Sequence, residues 1–301
     1  MRQLKVKGIR IDDTFAEAFG MRATALIVTA DSARWARQAA LTMTGFATSV
    51  IGCGAEANID REVPARETPD GRPGVRVLLF SMSTAELQKQ LQNRVGQCVL
   101  TSPGSACYAG LAGEEQLKLG NALRFFGDGW QISKRFGGKR YWRVPVMDGE
   151  FVCEATTGLT KLAVGGGNLI IMGATSANTL RAAEAAVAAI NGVADAIMPF
   201  PGGIARSGSK VGSKYKAPAS TNDAYCPTLR GAVKTALDPD IGAVLEIVID
   251  GLTSEAVAAA MAAGLAAILR LGPKRGALRV GAGNYGGKLG PHHYHLKDLL
   301  P

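Results

Sequence analysis

Four times along this chain a short apolar run rich in β-branched residues leads into a helical stretch and then into a second apolar run. The first unit is residues 23–30 (ATALIVTA), a helix capped by Asp31 and running to Met43, and a strand over 48–51. The second is 75–81 (VRVLLFS), a helix over 84–94 with Ser83 or Thr84 as cap and Glu86 in its first turn, and a closing strand over 96–102. In the second half, 168–172 (NLIIM) leads to a helix over 177–190 stopped by Gly192, then to a strand over 196–200. Last, 245–250 (LEIVID) leads to 254–269 and a strand over 277–280. Two such units per half predict an α+β protein of two split-βαβ, ferredoxin-like lobes. We place them at 1–150 and 151–301. Residues 103–167 do not fit the template; the patterns at 139–146 and 150–164 read as an antiparallel hairpin or arm inserted between glycine-rich boundaries.

Two glycine-rich segments follow strands of the second half. Residues 199–228 (PFPGGIARSGSKVGSKYKAPASTNDAYCPT) carry four serines and three lysines and almost no large apolar side chain. Residues 281–290 (GAGNYGGKLG) repeat the small-Lys-apolar-Gly core, with Lys288 matching Lys210. Such segments cannot form a core, and their free N–H groups and lysines suit an anion.

The formal charge of +9 points to an anionic partner. Basic residues are spread thinly, and the expected central strands hold a single phenylalanine, against the exposed aromatics that an RNA-binding sheet stacks on bases. We therefore expect no nucleic-acid partner. No apolar run approaches the roughly 20 residues of a bilayer span, and the start of the chain lacks an apolar signal region, so we expect no membrane and a cytoplasmic location. Five scattered cysteines without a CxxC signal neither a disulfide framework nor a zinc ribbon. His292, His293 and His295 cluster without a nearby cysteine, and no metal site is expected.

Residues 13–19 (DTFAEAF), 44–51 (TGFATSVI), 55–60 (AEANID), 68–75 (TPDGRPGV), 96–99 (GQCV) and 125–130 (FFGDGW) resemble the formylmethanofuran:tetrahydromethanopterin formyltransferases. The resemblance continues through 199–204 (PFPGGI), 209–214 (SKVGSK), 218–228 (PASTNDAYCPT) and 282–290 (AGNYGGKLG) and so spans 13–299. It implies a dimer or tetramer whose chain has two ferredoxin-like lobes and no tightly bound cofactor. Tetrahydromethanopterin and a methanofuran-type coenzyme would be its co-substrates. The basic charge departs from the acidic members of high-salt archaea. It looks more like the methylotroph version, which is one subunit of a formyltransferase/hydrolase complex. A furan coenzyme with a glutamate-rich tail would need a basic track, to which we assign Lys210, Lys214, Lys216 and Lys288.

No Ser-His-Asp or Cys-His constellation is visible, so direct formyl transfer in a ternary complex is expected rather than a covalent acyl-enzyme. Glu246, at the start of an apolar strand, is the candidate for proton handling, and by resemblance the matching glutamate lies near the transferring group. Asp223 is its competitor. Oxyanion donors are expected from the N–H groups of Gly202 and Gly203 or of residues 281–287, with Ser209 or Asn284 nearby. Asn222, Asp223 and Tyr225 complete the expected substrate-binding set. The alternative is a non-catalytic ferredoxin-like scaffold subunit that binds an acidic partner through its basic surface.

Overall fold

The computed structural model describes residues 3–208 and 210–301. The chain divides into two compact units, Met21–Ala163 and Met1–Gly20 with Val164–Pro301. It passes from one to the other within the strands Phe15–Thr29 and Thr160–Gly173. Residues 9–12 form a strand that pairs parallel with Arg279–Gly281, and this edge pairing carries the start of the chain into the second unit.

In the unit Met21–Ala163 the strands run in the order Ala106–Ala109, Phe15–Thr29, Gly74–Ser81, Glu56–Val63, all neighbours antiparallel. The helices Ala33–Thr44 and Thr84–Arg94 start where Ser32 and Ser83 accept the N–H of Trp35 and Glu86. Leu26, Val28, Val77 and Leu79 bury one sheet face with Ala39, Ala40, Met43, Leu87 and Leu91. Each large aliphatic side chain among them contributes about 1.5–3 kcal/mol.

Two of the expected strands here are helical instead. Residues 50–53 form a helical turn, because Ser49 accepts the Ile51 N–H, Glu56 accepts the Val50 N–H, and Gly54 ends it in the left-handed region. The strand of that unit is Glu56–Val63. Residues 95–99 continue the preceding helix as a π turn that buries Val95 and Val99, and the closing strand is Ala106–Ala109. The arm is a hairpin of Lys139–Val146 and Gly149–Glu154, extended by Ile132–Phe136. Its return does not run on to residue 164: Thr156–Gly158 turns away to pair with Gln116–Lys118, and Thr160–Gly173 is a separate long strand containing Gly165–Gly167.

In the other unit the order is Arg279–Gly281, Thr160–Gly173, Ala243–Gly251, Ala196–Ile197, again antiparallel throughout. Thr175 and Thr253 cap the helices Ser176–Ile190 and Ser254–Leu271. Leu169, Ile171, Ile247 and Ile249 face both helices in one core. The helices approach closely: a Cβ on Gly264 would lie 2.9 Å from Ile190 Cδ1. Side chains alternate along the strands, so Ile170, Met172 and Val244 point to the opposite face, where Leu237, Ile241 and Tyr225 cover them. Residues 225–241 thus supply the cover of the sheet face that the helices leave free, whereas Met198 and Ile204 pack into the helix-side core.

Candidate active site

Glu246 stands on that second face. Leu245 and Ile247 turn toward the helices, and period-two alternation turns Glu246 away from them. Its backbone exchanges two hydrogen bonds with Ala205 (2.8 and 2.9 Å). Across the sheet it is in register with Ile170, and Ile170 with Gly281. Among the described residues no hydrogen bond or ion pair reaches its carboxylate. The side chain keeps some exposure, but protein atoms crowd it on nearly every side, and the crowding decides its chemistry. Burial pushes the carboxyl up to about 7, so it exchanges a proton near neutrality.

Two tyrosines share this neighbourhood. Burial, then the charge of Asp12 and further that of Glu246, pushes the Tyr225 phenol up, and the Arg279 guanidinium opposes them. Burial and then Glu246 do the same for Tyr285. Both hydroxyls therefore stay protonated and able to donate. Tyr225 is among the residues expected from the sequence. Tyr285 is not, although it sits inside the 282–290 string.

The first glycine-rich segment makes its own small hairpin, Lys210–Val211 against Ala219–Ser220. Lys210 pairs with Asp223 at 2.8 Å, so two candidate residues meet each other, and the lysine holds the Asp223 carboxyl below its usual range. Asn222 receives the Tyr225 N–H on its carbonyl at 3.0 Å. Lys214, Tyr215 and Lys216 are exposed at the tip, Tyr215 by 92%. Gly203 donates its N–H to Phe200 O at 2.8 Å and is buried, while Gly202 faces open space. Ser209 lies outside the described residues.

The second segment departs from expectation. Its N–H groups already hold an anion, and the anion is Glu17. One carboxylate oxygen accepts from Tyr285 (2.6 Å) and Gly287 (2.8 Å), the other from Leu289 (2.6 Å) and Gly290 (2.8 Å). Glu17 is 1% exposed. Burial pushes its carboxyl up, but the four backbone donors, Gly290 and Leu289 foremost, outweigh that and hold it at about 2. Gly283 and Gly286 donate to Asn168 and Asn284, and the Asn284 amide donates to Thr14 Oγ1 and Phe15 O. These groups are engaged within the protein, which removes Gly283, Gly286, Gly287 and Asn284 as oxyanion donors. Lys288 is exposed. The available signal was Glu17 itself, a lone carboxylate in the apolar run FAEAF.

Two open cavities of about 710 and 700 Å³ lie in the unit Met21–Ala163. The first is lined by Leu100, Phe126 and Met147, the second by Asn121, Arg140 and Glu154, and neither includes a candidate residue.

The family model described as formylmethanofuran-tetrahydromethanopterin formyltransferase matches residues 4–146, and that described as FTR, proximal lobe, matches 149–299. The chain belongs to this formyltransferase family. It is 60% identical to the formylmethanofuran–tetrahydromethanopterin formyltransferase of Methylococcus capsulatus, covering 98% of this chain and 99% of that one. It is 58% identical to a subunit of the formyltransferase/hydrolase complex of Methylorubrum extorquens, over 100% of this chain and 98% of that subunit. A chain in the crystal structure of the M. extorquens formyltransferase/hydrolase complex with methylofuran superposes with a TM-score of 0.97 at 57% identity, covering 100% of this chain and 99% of that one. On this scaffold Glu246 is a crowded carboxyl raised toward neutrality, and Tyr225 and Tyr285 are hydroxyls whose titration its charge raises.

Proposed function

We infer that this chain moves a formyl group reversibly between N5 of tetrahydromethanopterin and the amine of methanofuran or methylofuran. The observation that carries the chemical role is Glu246, a carboxyl crowded by protein and lifted to about 7. Full-length identity to relatives named for this reaction supports the substrate class.

The neutral amine attacks the formyl carbon, a C–N bond forms and the carbonyl becomes an oxyanion. Collapse of that tetrahedral species breaks the other C–N bond. The attacking nitrogen must lose a proton and the departing nitrogen must gain one. A carboxyl with a pKa near 7 accepts the first and returns the second within one site. The protonated hydroxyls of Tyr225 and Tyr285 and the Gly202 N–H are donors of the kind the oxyanion needs. Alignment of both coenzymes in a ternary complex supplies the remainder. Lys214, Lys216 and Lys288 are exposed cations suited to an acidic coenzyme tail, with Lys210 tempered by Asp223.

Each unit places its closing strand beside its first and its third beside its second, an order that supports a ferredoxin-like lobe. The resemblance to the M. extorquens complex subunit supports assembly with hydrolase subunits, and the exposed Phe125, Phe126, Trp130 and Phe136 support contacts through the arm. The scaffold alternative has no comparable support. Purified protein mixed with formyl-tetrahydromethanopterin and the furan amine should yield the formyl-furan coenzyme. Absence of exchange, with the fold intact, overturns the reading.

A further inference from the structure

The segment that carries Tyr225 is tied to the sheet by two arginines, Arg10, which pairs with Asp240 at 2.9 Å and Asp238 at 3.4 Å, and, more deeply buried, Arg279. Arg279 and Asp12, 5% and 1% exposed, form a two-pronged ion pair, Nε to Oδ1 at 2.8 Å and Nη2 to Oδ2 at 2.9 Å. The third guanidinium nitrogen, Nη1, donates to Ala236 O at 2.9 Å. The Ala236 N–H donates to Ala224 O at 2.9 Å, and the Thr235 hydroxyl donates to the same carbonyl at 3.2 Å. The next residue is Tyr225, which packs with Leu237 and Ile241 on Ile170 and Met172, Ile170 being the cross-strand neighbour of Glu246. Gly281, in register with Ile170, leaves room for the clamp: a Cβ there would lie 2.8 Å from Asp12 Oδ2.

We propose that Arg279, fixed by Asp12, is a positioning residue for the transfer reaction: it ties residues 224–237 to the sheet so that Tyr225 covers Glu246 and keeps water from it. The relevance to catalysis rests on the function inferred above; the coupling to Glu246 does not. Only a guanidinium reaches both Asp12 oxygens and Ala236 at once, so lysine is a stringent replacement. Among the described residues the ionisable groups coupled to Glu246 are Tyr225 and Tyr285, with the Asp12–Arg279 pair and Asp238, 3.4 Å from Arg279, beyond Tyr225 and Glu17 beyond Tyr285. The tyrosines stay neutral through the range in which Glu246 titrates.

The test is Arg279→Lys, read by carboxyl 13C NMR titration of the unliganded protein, with the Glu246 signal assigned through Glu246→Gln, and by steady-state kinetics. We expect the Glu246 titration to fall from about 7 toward the ordinary carboxylate range. We also expect kcat to drop roughly 10²-fold, as for a small misplacement, with both KM values within a few-fold of wild type. A drop in kcat with an unmoved Glu246 titration indicates general destabilisation and overturns the proposal. So does a wild-type titration in a folded variant. If Arg279→Lys does not fold, Leu237→Ala loosens the same segment with the ion pair intact and must lower the Glu246 titration; failure to do so overturns the proposal. The titration needs no coenzyme, so a protein inactive in formyl exchange whose Glu246 still responds refutes the functional reading alone.

Discussion

The two glycine-rich segments look alike in sequence and behave in opposite ways. Residues 281–290 close on Glu17, whose two oxygens take four backbone N–H groups. Residues 199–228 hold no comparable internal anion among the described residues; Lys210 is met by Asp223, and the tip presents Lys214 and Lys216 to solvent. A backbone nest is a demand for negative charge, and it does not specify where the charge comes from. The protein satisfies the second nest itself and leaves the first segment beside the sheet face that bears Glu246. One is a structural element built with the chemistry of a binding loop. The other keeps its lysine-bearing tip in solvent.

The sharpest break in this contrast comes from Glu246→Gln. It should leave the fold in place and lower turnover by roughly 10²–10⁴, the usual loss for an acid/base group, with coenzyme KM values little changed. Turnover within a few-fold of wild type would detach the open segment from the chemistry.

Glu17→Gln should instead act on structure. An amide offers one acceptor oxygen where the carboxylate offers two, so hydrogen exchange at Tyr285, Gly287, Leu289 and Gly290 should accelerate roughly tenfold or more, and residues 199–228 should keep their wild-type exchange. The pH sign follows from the depressed carboxyl at about 2. Its stabilising effect is present above the unfolded carboxylate range near 4.5 and is lost as pH falls toward 2. The four amide resonances should therefore lose protection in acid first in the wild type, and independently of pH in the variant.

The two carboxyls should also bend stability in opposite directions. Glu246, raised to about 7, favours the folded state below its unfolded range near 4.5 and forfeits that advantage as pH rises through 7. Glu246→Gln should be more stable than wild type at pH 8, by roughly 1–3 kcal/mol, and should lose that margin below pH 4.5. Denaturant melts at the two pH values decide it.

The smallest effect concerns the exposed lysines. Individual surface charges contribute about 0.2–1 kcal/mol and are screened by salt. The KM for the furan coenzyme should rise with ionic strength while kcat moves less. Neutralising Lys214 and Lys216 together should flatten that slope and leave the pterin KM unchanged. An unaltered slope returns both to ordinary solvated surface.

Local patterns carried much of this protein. Alternation along residues 245–250 already sets Glu246 on the face opposite Leu245 and Ile247, and an ionisable group at that position of an apolar strand is pushed toward neutrality wherever the strand is covered. The helix start at Ser83 followed from cap chemistry, which acts within one turn, and those near Ala177 and Ser254 from the pattern of apolar residues. The same logic failed at residues 48–51 and 96–102, where short runs form helical turns, since an apolar run of four to seven residues has no period of its own to tell strand from helix. What folding alone decided are the long-range pairings: Asp12 with Arg279 across 267 residues, and Glu17 with a loop more than 260 residues further on. Nothing in either local stretch selects the other. A buried charge takes whichever partner the sheet order brings to its side, because leaving it unpaired costs more than any local preference offers.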